Sequence, residues 1–90
     1  MDPEVLAEAY AKEGDALAAA RKFGEAIALY DRAIEVNPES CEAWTNKAIA
    51  LKALGRKREA LLCIGRALEI YQSPIAESLR ESLLEEEDRT

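Results

Sequence analysis

Two stretches of equal length lie end to end: AEAYAKEGDALAAARKFGEAIALYDRAIEVNPES at residues 7–40 and CEAWTNKAIALKALGRKREALLCIGRALEIYQSP at residues 41–74. Set one beneath the other, they agree at ten positions: Glu8/Glu42, Ala9/Ala43, Ala16/Ala50, Leu17/Leu51, Ala19/Ala53, Glu25/Glu59, Ala26/Ala60, Arg32/Arg66, Ala33/Ala67 and Glu35/Glu69. Chance at this alanine-rich composition would give about three. Tyr10/Trp44, Ile27/Leu61, Ile34/Leu68 and Val36/Ile70 are further pairs of like character. Repetition at this period marks a stacked array, in which each unit covers the apolar face of the next.

Inside each stretch the signals are helical, and they come in pairs. Asp2 is a good N-cap, and Pro3 suits the first helical position, where its missing N–H costs nothing. A first helix is expected to run to about residue 20, with Arg21-Lys22-Phe23-Gly24 as the turn. A second, over about 25–36, places Ala26, Ile27, Tyr30, Ala33 and Ile34 on one face at helical spacing. Asn37-Pro38-Glu39-Ser40 stops it, and Ser40 caps a third helix that ends at Gly55, a natural C′ residue. A fourth is expected over about 58–71. Ser73-Pro74 repeats the cap and opens a fifth through about residue 87. Residues 88–90 are expected to fray.

Outward from the repeats, length and composition agree with one all-α domain. Ninety residues hold a single small core. Ala, Leu, Glu, Lys and Arg are the strongest helix formers, while Val, Thr and aromatics are scarce. The net charge of −6 disfavours nucleic acid and anionic membrane surfaces as partners and leaves a basic protein or peptide possible. No apolar stretch reaches the roughly 20 residues of a membrane span. Met1-Asp2-Pro3-Glu4 does not read as a signal peptide, and Cys41 and Cys63 lack CxxC spacing. Reduced packing thiols in a cytoplasmic protein are expected. Without histidine, a glycine-rich phosphate loop or a nucleophile beside a base, the chain offers no catalytic constellation, and no cofactor or metal is expected.

The pattern of residue sizes resembles the tetratricopeptide repeat. Repeat one shows Tyr10, Gly14, Leu17, Ala26, Tyr30, Ala33 and Pro38; repeat two shows Trp44, Ala48, Leu51, Ala60, Ile64 and Ala67. Small residues let two helices approach, and large ones fill the grooves beside them. Glu13 and Lys47 depart from the family's usual leucine, and Gln72 from its second proline. The resemblance implies an all-α, antiparallel helical-hairpin solenoid of five helices, with repeats at 7–40 and 41–74 and a capping helix at 74–87. The cap's expected apolar stripe is Ile75, Leu79 and Leu83, in a register two residues shorter than strict repetition. Strict repetition would bury Glu77 and Glu81.

The resemblance also implies a concave surface lined by the first helix of each repeat, and hence an interaction module that binds a short peptide or helix. By position it holds Glu8, Ala11, Lys12, Asp15 and Ala19, then Glu42, Thr45, Asn46, Ile49, Lys52 and Ala53. The expected ligand contacts are Lys12, Asp15, Thr45, Asn46, Ile49 and Lys52. Glu8, Asp15 and Glu42 favour a basic ligand. Asn46 matches one asparagine of the family's carboxylate clamp. Ala11 and Asp15 do not match its lysine and first asparagine, and Arg80 matches only under strict repetition. The rival reading is a self-associating scaffold, a homodimer through an open end or the last helix, because two repeats fall short of the usual three. Arg21-Lys22 and Arg56-Lys57-Arg58 form a basic rim, towards which Glu85, Glu86, Glu87 and Asp88 are expected to lean.

Overall fold

The computed structural model describes residues 2–88, with side chains as far as Glu85. The expected contact of Glu86, Glu87 and Asp88 with the rim, and the fraying of the last residues, lie outside the described side chains and residues. Five helices follow one another: α1 (Pro3–Ala19), α2 (Phe23–Val36), α3 (Cys41–Ala53), α4 (Lys57–Ile70) and α5 (Pro74–Asp88). The described residues contain no strand. Helices α1 and α2 form one hairpin and α3 and α4 the next, and α5 packs on α4 and α3.

Each hairpin is closed by the same device. Ala20 caps α1, Arg21 N–H donates to Ala18 O at 2.9 Å and Lys22 N–H to Leu17 O at 2.8 Å. In the second hairpin Gly55 N–H donates to Lys52 O and Arg56 N–H to Leu51 O, both at 2.9 Å. These are Schellman caps, which need a left-handed residue at C′. Gly55 takes φ 78 at no steric cost, whereas Arg21 takes φ 64. Phe23 and Gly24, read from sequence as turn, already belong to α2. The strain therefore falls on Arg21, and Gly24 brings no relief. Arg21→Gly is expected to stabilise the chain by about 0.5–1 kcal/mol. Its guanidinium over the Phe23 ring, 5.7 Å from the centroid, offsets part of the gain. Thermal melts of the two proteins check it.

Two apolar clusters stack along the array. The first joins Ala7, Ala11, Ala26, Tyr30 and Ala33 of the first hairpin to Ala43 and Ala50 of α3. The second joins Ala48, Leu51, Ala60, Cys63, Ile64 and Ala67 to Ala76 and Leu83 of α5. Each hairpin is thus closed by the helix that follows it. Ten of the fifteen buried apolar residues among those described are alanine, so backbones approach closely and few large side chains carry the core. Tyr30 lies on Gly14: a Cβ there would stand 2.7 Å from Tyr30 Cε1. Burial pushes the Cys63 thiol up, which suits the packing role.

Three expectations need correction. Ile75 is 69% exposed, and Ala76 takes the buried place beside Leu83, with Leu79 half-buried. The register is one residue shorter than strict repetition, and not two. Ser40 Oγ accepts from Ala43 N–H and Ser73 Oγ from Ala76 N–H, each at 3.2 Å, so the caps lie 33 positions apart. Ala43 and Ala76, both fully buried, are equivalent. Trp44 is half-buried, not enclosed: its indole N–H donates to Pro38 O at 2.9 Å, and Arg66 stands 5.6 Å from its ring centroid. The lysine that replaces the family's leucine also has a role here. Lys47 pairs with Asp31 at 2.6 Å, joining α3 to α2, and its ammonium lies 6.0 Å from the Trp44 ring centroid.

Candidate functional site

Helices α1, α3 and α5 share one face, because alternate helices of a stacked array lie side by side. Side-chain bonds stitch them together. Asn46 Nδ2 donates to Asp15 Oδ1 at 3.0 Å, linking α3 to α1. Lys52 Nζ donates to Ser82 Oγ at 2.9 Å, linking α3 to α5. Between α1, α2 and α3 the face opens into a cavity of about 190 Å³, lined by Asp15, Ala18, Phe23, Tyr30, Asn46, Ile49 and Ala50. Its wall is mainly apolar, with the Asp15 carboxylate and the Asn46 amide as the polar groups.

The structure brings three of the expected contacts together here: Asp15, Asn46 and Ile49, the last 45% exposed. Lys12 is exposed and pairs with Glu8 at 3.1 Å one turn away. Lys52 is half-buried and turned towards Ser82. Thr45 is only 8% exposed, with its hydroxyl 4.0 Å from Cys41 Sγ, and Ala11 is buried as well. Neither is available to a ligand. The cause is that α3 touches all four other helices, so packing takes a wider arc of its surface than the repeat pattern alone implies. Asn46 and Lys52 each hold a bond to a neighbouring helix.

Two residues of the cavity escape a reading from sequence alone. Phe23, placed in the turn, forms a wall of the cavity. Tyr30, placed only in the core, donates its hydroxyl to Asp15 Oδ1 from behind the face. The signal for the second was present: a buried phenol packed on a small residue needs a polar partner, and Asp15 adjoins Gly14. Burial first, then the hydrogen bond to Asp15 and the charges of Asp15 and Glu42, drive the Tyr30 hydroxyl well above its ordinary pKa. The folded state therefore holds this proton more tightly than the unfolded chain. Its stabilisation is complete below the unfolded pKa of about 10 and is lost as pH rises beyond it. Melting temperature should thus fall more steeply above about pH 10 in the natural chain than in Tyr30→Phe, which lacks this proton. Parallel alkaline melts of both proteins check it.

No helix among the described residues is long and apolar enough to cross a membrane. The described residues also contain no group of three or more His, Cys, Asp or Glu placed to hold a metal ion.

Comparison with known proteins points one way. Models of the tetratricopeptide repeat match residues 7–40 and residues 29–62. An uncharacterized protein of Methanocaldococcus jannaschii is 41% identical over 64 residues, which cover 71% of this chain and 74% of that protein. Human DnaJ homolog subfamily C member 7 is 33% identical over 88 residues, 89% of this chain and 18% of its own length. Rat sperm-associated antigen 1 is 30% identical over 77 residues, 86% of this chain and 9% of its own. The chain thus spans most of the archaeal relative and a small part of the two larger proteins. Paired helices at a repeat of 34 residues, small residues where they cross, and two matching repeat models carry the same conclusion: this chain belongs to the tetratricopeptide repeat family.

Proposed function

We propose that the chain is a non-catalytic adaptor that receives a short peptide or helix on the concave side of its repeats, in the groove between α1 and α3. Protein interaction is the general role that its repeats support. The observation that carries the finer reading is the cavity of about 190 Å³, where an apolar wall meets an oriented carboxylate and amide. A few placed polar groups in an apolar recess are what a specific ligand site requires. Asp15, Asn46 and Ile49 are the ligand contacts in this reading, with Lys12 and Lys52 on its margins. The two free thiols, Cys41 and Cys63, support a reducing, cytoplasmic setting.

A photo-crosslinking residue placed at Ile49, in lysate of the source organism, tests the reading. Adducts to another protein are expected from position 49 and not from Leu62, an exposed side chain of α4. Adducts from position 62 alone would contradict it. A second reading, self-association, draws on the groove between α4 and α5 lined by Leu68, Gln72, Arg80 and Leu84, with Leu84 41% exposed. Adducts of twice the chain mass from position 84 would favour it.

A further inference from the structure

We infer that the groove selects a peptide carrying a lysine or arginine beside an apolar side chain, the cation held by Asp15 and the apolar group seated against Ile49 and Phe23; this rests on the groove being the ligand site. Asp15 is the anchor of the groove's polar side. Both of its bonds, from the Tyr30 hydroxyl and from Asn46 Nδ2, end on Oδ1. Among the described residues no hydrogen bond or ion pair to Oδ2 is found, and the side chain is exposed. The carboxylate is thus held in place by two donors with one oxygen remaining for a third. A guanidinium or ammonium is the donor that gains most from an ionised acceptor.

The surrounding charges point the same way. Glu42, exposed in the first turn of α3 and one turn before Asn46, adds a second carboxylate on the α3 side. Of the cations of this face, Lys12 is paired with Glu8, and Lys52 is turned away towards Ser82 of α5. Arg21 stands over Phe23 at the turn end, away from Glu42 near the start of α3. The groove is therefore negative towards the helix N-termini and apolar around Ile49, with its cations, Arg21 and Lys52, at the end nearer the turns. A ligand's basic residue belongs at the Asp15 and Glu42 end, and its apolar neighbour in the cavity. An acidic tail meets Asp15 unfavourably, in keeping with the two clamp positions that Ala11 and Asp15 fail to match.

A random octapeptide library displayed on phage, panned on the full chain at low salt with counter-selection on Ile49→Glu, tests this. Expected are peptides with Lys or Arg within two residues of Leu, Ile, Met or Phe. Their affinity should fall about fivefold on Asp15→Asn, the scale of one exposed ion pair. Glu42→Gln, at an exposed side chain with no bond to a neighbouring helix to lose, repeats the test should Asp15→Asn fold poorly. Peptides that separate the chain from Ile49→Glu but carry acidic or neutral residues at those positions overturn the inference and leave the groove standing. Absence of any peptide that separates the two proteins overturns both.

Discussion

Replacing Tyr30 with alanine is expected to cost about 3–5 kcal/mol, the usual scale for emptying a buried aromatic site. Tyr30 is 1% exposed and is the largest fully buried side chain among the described residues. Most of its neighbours in the first cluster are alanines, which cannot reach into the space it leaves. Small domains have roughly 5–15 kcal/mol in total, and a chain of 90 residues belongs near the lower end. The variant should therefore be substantially unfolded at moderate denaturant where the natural chain is folded. Tyr30→Phe separates packing from polarity. It keeps the ring on Gly14 and loses the bond to Asp15, so a cost of about 1 kcal/mol is expected. Urea melts of the three proteins check both figures. Equal stability of Tyr30→Ala and the natural chain would mean that the first hairpin is not built around this ring.

Leu83→Ala is expected to cost about 2–5 kcal/mol, while Ile75→Ala should stay within about 0.5 kcal/mol. Leu83 is fully buried against the second cluster, where it does for the last hairpin what Ala50 does for the first. Ile75, on the same helix, is largely exposed. The pair thus measures the register of α5 directly. Reversed magnitudes would restore the register in which Ile75 faces inward. Helix α5 covers the face of α3 and α4 and leaves Glu77 and Glu81 exposed.

What was legible in the sequence follows from which forces are local. Helix caps are local, and so Asp2, Ser40 and Gly55 were placed correctly from residue type alone. The size pattern of the repeats is nearly so, because small and large residues must alternate wherever two helices cross. The misreadings arose where a third partner decided the outcome. Thr45 and Ala11 look spare within one hairpin and are covered by the stack. Ile75 is more apolar than Ala76, yet the Ser73 cap fixes the helix phase and presents the alanine inward. Arg21 shows the converse: the αL position is dictated by the length of α1, and a glycine three residues later does not serve it. For the candidate site, Asp15, Asn46 and Ile49 could be read as neighbours because they lie on adjacent helices of one face. The bond from Tyr30 is less legible, since it crosses from α2 through the core.

In the proposed reading, the groove between α1 and α3 is the binding surface. Backbone amide shifts of the isotope-labelled chain, followed while a peptide selected from the octapeptide library is added, test it most directly. The account predicts concentration-dependent shifts at Asp15, Ala18, Asn46 and Ile49, with little change at Leu62. Shifts confined to Leu68, Arg80 and Leu84, with the groove residues unmoved, would contradict it.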